Sequence, residues 1–214
     1  MTVFESLNAR HSTRAFLSIP VEKEKLDAIF AAAARTPSWA NSQPWEVYVA
    51  AGDTLERIRD AYKKKYAEGA KAAPETPRPA QWSESAKLQQ QQLRPGMERD
   101  CGEAANEFGA LNQAMFYAPA VIYICMDKIL SEWSLYDIGA FSQSIMLAAD
   151  ELGLATIQAI TLMLYPDVLR KELEIPDSLK LTIGIAIGYA DKEHGINRFV
   201  SGRKPMSETV AYRW

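Results

Sequence analysis

Three arginines and four neutral hydrogen-bonding residues stand in stretches that should be loops: Arg10, Arg14, Arg203, Ser12, Ser38, Asn41 and Gln43. A guanidinium pairs bidentately with phosphate oxygens, and a serine hydroxyl or a backbone amide at a helix N-terminus adds further donors. Such a set is half of a mononucleotide site. The amides of Asn41 and Gln43 each offer donors and an acceptor, which suits the edge of a flat heterocycle with alternating carbonyl and N–H groups. That is the other half. A plainer reading stays open, because loop arginines are usually solvated or paired with acids and Asn41-Ser42 is ordinary turn chemistry.

Other chemistries lack their residues. The chain has no GxxxxGK[ST] phosphate loop, no GxGxxG after a strand and no GxSxG elbow. With only His11 and His194 as histidines and only Cys101 and Cys125 as cysteines, no metal site and no disulfide framework is expected. Both thiols should be reduced, with Cys125 buried. Apolar residues make up 48% of the chain and charged ones 24%, an ordinary globular balance. The net charge of −3, with scattered basic residues, gives no field for nucleic acid or an anionic membrane. Glu5 and Asn8 interrupt any signal-peptide core, and no run approaches the roughly 18 apolar residues of a membrane span. The expected location is the cytoplasm.

The elements that must hold these groups follow from hydrophobic period. Residues 2–10 suit a short helix leading into the polar turn Arg10-His11-Ser12-Thr13-Arg14. A second helix begins after Ile19-Pro20 near Glu22, carries Leu26, Ile29, Phe30 and Ala33 on one face, and ends before Thr36-Pro37. The loop from Pro37 to Pro44 then runs directly into a strand at Trp45–Val49. From Lys71 to about Cys101, four prolines and the run Gln89-Gln90-Gln91-Gln92 indicate a mobile flap with a helical part, or else a solvated insertion. Ala120 to Met126 reads as a strand buried on both faces. A helix from Ser134 to Leu152 follows, with Ser134 and Asp137 placed like an N-terminal cap. That helix is apolar on nearly all sides and so needs cover on nearly all sides, which a second copy of the chain would supply. Further strands are expected at 155–161 and 181–190, with a helix around 167–173 between them. The tail after Gly195 lacks a period. Nothing repeats, and no linker splits the chain, so residues 1–214 should form one domain with a variable lid at about 67–108.

Arg10-His11-Ser12-Thr13-Arg14-Ala15-Phe16 resembles the RxSxRxF signature of the nitroreductase family, and Pro37-Ser38-Trp39-Ala40-Asn41-Ser42-Gln43-Pro44-Trp45 resembles its PSxxNxQPW loop. Asp137-Ile138-Gly139-Ala140, Gly153-Leu154-Ala155-Thr156, Ile187-Gly188-Tyr189 and Ser201-Gly202-Arg203-Lys204-Pro205 resemble later family motifs. The resemblance implies an α+β fold, a mixed central sheet wrapped by helices, with a C-terminal tail swapped onto the partner of a homodimer. It implies FMN at the dimer interface, with NADH or NADPH as transient hydride donor. Arg10 and Arg203 would hold the phosphate, Ser12 would donate to phosphate or ring, and Arg14 would lie beside the N1/C2 edge. Ser38 and Asn41 from the partner, with Gln43, would complete the ring and ribityl contacts. His11, Pro37 and Trp39 belong to the same motifs.

Gln143 would approach the flavin or else bond neighbouring backbone. Ile160 and Thr161 would lie over the ring face near N5, although Ile160 departs from the Glu of many relatives, and Ser201 replaces a common lysine. No side chain need be a catalytic acid or base, since the cofactor carries the chemistry. The implied activity is two-step reduction of a nitroaromatic or other small aromatic electron acceptor. Within the family the C-terminal third looks most like the nitrobenzoate-reductase type. Quinone or enone reduction, reductive dehalogenation, oxygen-dependent flavin cleavage, or a non-catalytic flavin carrier are the alternatives. Trp39, Phe108 and Tyr117 would be aromatic walls or core, and Trp82, Tyr62, Tyr66 and Met97 stand in or near the lid. Arg94 and Arg99 would select a 2′-phosphate or be solvated.

Overall fold

The computed structural model describes residues 2–214. Four strands, β1 (Glu46–Ala51), β2 (Ala120–Asp127), β3 (Ala155–Ala159) and β4 (Leu179–Gly188), form one sheet in the order β1-β2-β4-β3, with each neighbouring pair antiparallel. A parallel element comes from the isolated bridge between Ser12 and Thr156 on the outer side of β3. The α-helices are α1 (Val3–Ala9), α2 (Lys23–Ala33), α3 (Gly52–Ala67), α4 (Glu84–Gln91), α5 (Leu93–Cys101), α6 (Phe108–Gln113), α7 (Glu132–Glu151) and α8 (Pro166–Leu173).

The period of β2 explains the layering. Val121, Tyr123 and Cys125 enter one apolar layer, which α3, α5, α6 and α8 close with residues such as Leu55, Met97, Leu111 and Leu169. Ile122, Ile124 and Met126 enter the other, closed by Leu26 and Ile29 of α2 and by Ile138, Phe141 and Ile145 of α7. Successive side chains of a strand point to opposite faces, so a strand covered on both sides must be apolar throughout. Between β2 and β4 the register shifts after Ile124, and the Thr182 hydroxyl donates to the Ile124 carbonyl at 2.6 Å, which satisfies the irregularity locally. Burial pushes the Cys125 thiol up to about 12, so it is an inert packing residue.

α7 differs from the expectation at its start. Ser131, not Ser134, occupies the cap position, and the helix begins at Glu132. Ser134 lies within the first turn, and the Asp137 carboxylate accepts from the backbone of Trp39 instead of helping to cap. Ser131 and Ser134 are three residues apart, and apolar period does not distinguish them. At the other end Gly153, at φ 74°, follows the helix, and Leu154 N donates to Ala149 O at 2.8 Å. Gly has no Cβ to oppose that left-handed conformation. Two side chains early in α7 stay in the open, Trp133 at 65% and Tyr136 at 76% exposure, and α1 buries only Ser6 while Phe4 is 80% exposed.

The segment 67–108 is also more integrated than its composition suggested. α4 has no buried residue, but α5 buries Met97 and Cys101, one turn apart on one face, and Ala105 is fully buried. Tyr62, too, is core: it is fully buried, and its hydroxyl donates to Leu162 O at 2.9 Å. Tyr66 packs edge-on against Tyr62 and Tyr165. Arg94 is held by Glu98, Ala105 O and Asn106, and Arg99 by Asp100, so neither is an unengaged cation.

At the end of β4, a Cβ added to Gly188 would lie 2.5 Å from Pro119 Cδ and 3.2 Å from a Phe16 ring atom. The proline ring is stiff and part of the chain entering β2. Gly188→Ala is therefore expected to lower stability by about 1–3 kcal/mol, read as an earlier urea midpoint. An unchanged midpoint would mean that Pro119 and Phe16 relax together.

Candidate functional site

The chain leaves α1 at Arg10 and runs extended along β3. Ser12 bridges Thr156, and Thr13 N donates to Thr156 O at 3.0 Å. Thr13 is thereby buried, and the alternate residues Ser12 and Arg14 are held on the other side of the segment. Arg14 is only 9% exposed. Its Nη1 donates to Ser12 O at 2.8 Å and Phe199 O at 3.5 Å, and its guanidinium lies 5.1 Å from the Phe199 ring and 6.0 Å from that of Phe108. Among the described residues no carboxylate pairs with it, and its Nε is buried with no hydrogen-bond partner. Burial lowers its pKa, because desolvation penalises the charged form. A buried cation without an acid is costly unless something else meets its charge.

The loop at 36–44 is built differently. Thr36 Oγ1 donates to Ser144 Oγ at 2.7 Å and Trp39 N to Asp137 Oδ2 at 3.2 Å, which tie the loop to α7. Trp45, stacked on Phe141 at 4.4 Å, fixes its exit. Inside it Ser38 Oγ accepts from Gln43 N at 2.9 Å, and Ala40, Asn41 and Gln43 all have positive φ, between 45° and 55°. Non-glycine residues in that region cost roughly 1–3 kcal/mol each and persist where the surroundings over-determine them. Pro37, Trp39, Asn41 and Gln43 are exposed. Gln43 Nε2 donates to Asn41 O at 3.3 Å, and the exposed Asn41 and Gln43 stand beside the 70% exposed Trp39 ring, 6.4 Å from Trp133, as a polar-aromatic face.

Other expected residues fall as follows. Ile160 and Thr161 open the turn after β3, and Thr161 Oγ1 donates to Asn112 Oδ1 at 3.2 Å, which ties α6 to the end of that strand. Gln143 is half-buried on α7, and its amide bonds no neighbouring backbone among the described residues, so that plainer reading is set aside. His11 lies with Nδ1 3.0 Å from Ala9 O. Arg203 is exposed and folds back on its own loop, donating to Ser201 O, Ser201 Oγ and Gly202 O at 2.8–3.0 Å. No hydrogen bond or ring contact joins the Arg10–Arg14 segment to the 37–44 loop among the described residues. The arginine segment and the 37–44 loop are thus each held in a defined conformation, with Arg14 buried and the loop exposed.

Two surface cavities lie elsewhere. One of about 610 Å³ between α3 and α6 is lined by Arg59, Lys63, Tyr66 and Tyr117, and one of about 530 Å³ by Leu17, Asp150, Tyr189 and Asp191. Neither includes an expected cofactor residue, and Tyr117, 62% exposed, lines the first and is not core. Phe108 does stand beside Arg14. Sequence reasoning missed Asp137 as the loop anchor and gave no role to Asn112 or Phe199. A polar residue inside an apolar helix was the available signal for Asp137, while the other two carry none.

Residues 7–189 match the model of the nitroreductase family, a span that takes in both the arginine turn and the 37–44 loop. The chain belongs to this family. The chloronitrobenzene nitroreductase of Comamonas testosteroni is 30% identical over 215 residues, covering 95% of this chain and 93% of that protein. The 4-nitrobenzoate reductase of Nocardioides sp. (strain LMS-CY) is 26% identical over 218 residues, covering 97% and 88%. Among solved structures, the FMN and NADPH-dependent nitroreductase NfnB from sphigopyxis sp. strain HMH superposes with a TM-score of 0.91 at 28% identity, with 100% of both chains covered. The α+β architecture expected from the motifs is therefore the nitroreductase fold.

Proposed function

We propose that this nitroreductase-family chain is an FMN-dependent NAD(P)H oxidoreductase that reduces nitroaromatic compounds and works as a homodimer. The observation that carries the reading is Arg14, a buried guanidinium with no acid partner and an unsatisfied Nε, on the outer side of β3. An anionic or electron-rich ligand edge is what such a group lacks. The donor set around it fits the cofactor. Arg10 and Arg203 are suited to a phosphate, Ser12 to phosphate or ring, and Arg14 to the N1/C2 edge, where a cation favours the reduced, anionic ring. The FMN, when bound, supplies hydride transfer, accepting from NADH or NADPH and passing reducing equivalents to the second substrate. Ile160 and Thr161 would bound the ring face, with Gln143 approaching it and Phe108 and Phe199 excluding water.

A second copy would complete the site. The loop bearing Pro37, Ser38, Trp39, Asn41 and Gln43 is anchored on α7, away from the arginines of its own chain, and α7 presents Trp133 and Tyr136 beside it. Exposed aromatics next to the exposed polar loop support docking of the partner there, with the tail and its Arg203 reaching across. Both cysteines are free and buried, which suits a reducing compartment, and we assign the cytoplasm.

The test is anaerobic. Purified FMN-loaded protein is mixed with NADH or NADPH while flavin absorbance is followed, and 4-nitrobenzoate is then added. Bleaching by the nicotinamide and recovery on the nitro compound, with nitroso product and water formed per two electrons, is the expected result. Bleaching without recovery would move the substrate to quinones, enones or halogenated phenols. Bound flavin that never bleaches would leave a flavin carrier.

A further inference from the structure

Asn197 lies in the short turn Gly195–Arg198, beyond the family-matched span. Its side chain uses every hydrogen-bonding position it has. Oδ1 accepts from Arg14 N at 2.6 Å and Ala15 N at 3.2 Å, while Nδ2 donates to Ala15 O at 2.8 Å and Asp191 O at 2.9 Å. An amide offers two donors and one oxygen with two lone pairs, so the group is saturated. The bond to Arg14 joins residues 183 positions apart. The turn that carries it is itself rigid: Ile196 is fully buried, and a Cβ on Gly195 would lie 3.0 Å from Ala104 Cβ. Two residues further on, the Phe199 ring and carbonyl meet the Arg14 guanidinium.

An arginine is normally aimed by the acid it pairs with. Among the described residues Arg14 has none, so its direction must come from its backbone and from the surfaces its stem crosses. We propose that Asn197 is the positioning residue for Arg14, holding the Arg14–Ala15 backbone at the height from which the guanidinium meets the flavin. Asn197 acts through Arg14 and does not touch the cofactor. This rests on the reading that Arg14 borders the flavin.

The experiment is a double-mutant cycle read by FMN titration of the apoproteins and by the flavin midpoint potential. Asn197→Ala is expected to weaken FMN binding about tenfold and to shift the potential, whereas adding it to Arg14→Ala should change affinity by no more than about twofold, because the two act as one unit. Asn197→Asp keeps the oxygen that accepts from Arg14 and Ala15 but sets a carboxylate oxygen against Ala15 O and Asp191 O, and in a second cycle with Arg14→Ala its loss should likewise be non-additive. That comparison also serves if the alanine variant folds poorly. Additive losses across either cycle would overturn the proposal and leave Asn197 as a packing residue. If Arg14→Ala alone binds FMN like the parent, the flavin reading of Arg14 fails, and this proposal with it.

Discussion

Arg14→Ala apoprotein is expected to bind FMN roughly 100-fold more weakly, about 3 kcal/mol at 1.4 kcal/mol per decade, while its melting temperature stays close to that of the parent. The two halves of that expectation have the same origin. In the folded chain the guanidinium is buried, its pKa is lowered by desolvation, and no acid offsets the burial. What holds it is two backbone carbonyls and the face of Phe199. A cation over an aromatic face contributes roughly 0.5–2 kcal/mol, which is offset by the burial of a charge without a counter-ion. Removing the side chain is then nearly neutral for folding. For the cofactor it removes a charge-assisted donor, an interaction of about 1.5–3 kcal/mol, and the nearby positive charge. The midpoint potential should accordingly become more negative by about 30–60 mV, at roughly 30 mV per decade for a two-electron couple. Arg14→Lys should recover more of the potential than of the affinity, because it restores the charge without the planar fork. Unaltered affinity and potential in Arg14→Ala would remove Arg14 from the flavin site.

Trp133→Glu combined with Tyr136→Glu is expected to give a monomer that purifies without flavin. The two rings stand 65% and 76% exposed near the start of α7, next to the 70% exposed Trp39 and the exposed Asn41 and Gln43 of the 36–44 loop. Aromatic anchors of this kind carry about 2 kcal/mol or more each when they are buried in an interface. In a two-fold dimer every substitution acts twice, so a double variant should weaken association by several orders of magnitude. Light scattering after size exclusion reads the mass, and absorbance at the flavin band reads the cofactor. Trp82→Glu is the control, since Trp82 is also exposed but lies just before α4, away from α7. A Trp133/Tyr136 double variant that remains a flavin-loaded dimer would place the interface on another face.

Much of this protein was legible one residue at a time. The apolar run at 120–126 determined a strand covered on both sides, because only a two-layer environment requires both side-chain parities to be apolar. The period of Leu26, Ile29 and Ala33 determined a helix with one face on the sheet. The order Arg10-Ser12-Arg14 followed by Ser38-Asn41-Gln43 showed which donors and acceptors a ligand could meet, because hydrogen-bonding capacity is a property of residue type, while a plain loop reading stayed open. Local chemistry did not reveal which groups find partners within the chain. Composition placed 67–108 in a flap, yet Met97 and Cys101 pack in the core, since a pattern of two apolar residues one turn apart is too sparse to stand out among prolines and glutamines. Asp137 was assigned to a cap three residues away, but it anchors a loop 98 positions distant. Asn197 stood out only within the C-terminal pattern that resembles the nitrobenzoate-reductase type, and its saturation by bonds to Arg14, Ala15 and Asp191 was not legible there. Contacts between residues far apart in sequence depend on how two layers and their connecting turns pack, and that is decided by tertiary structure alone.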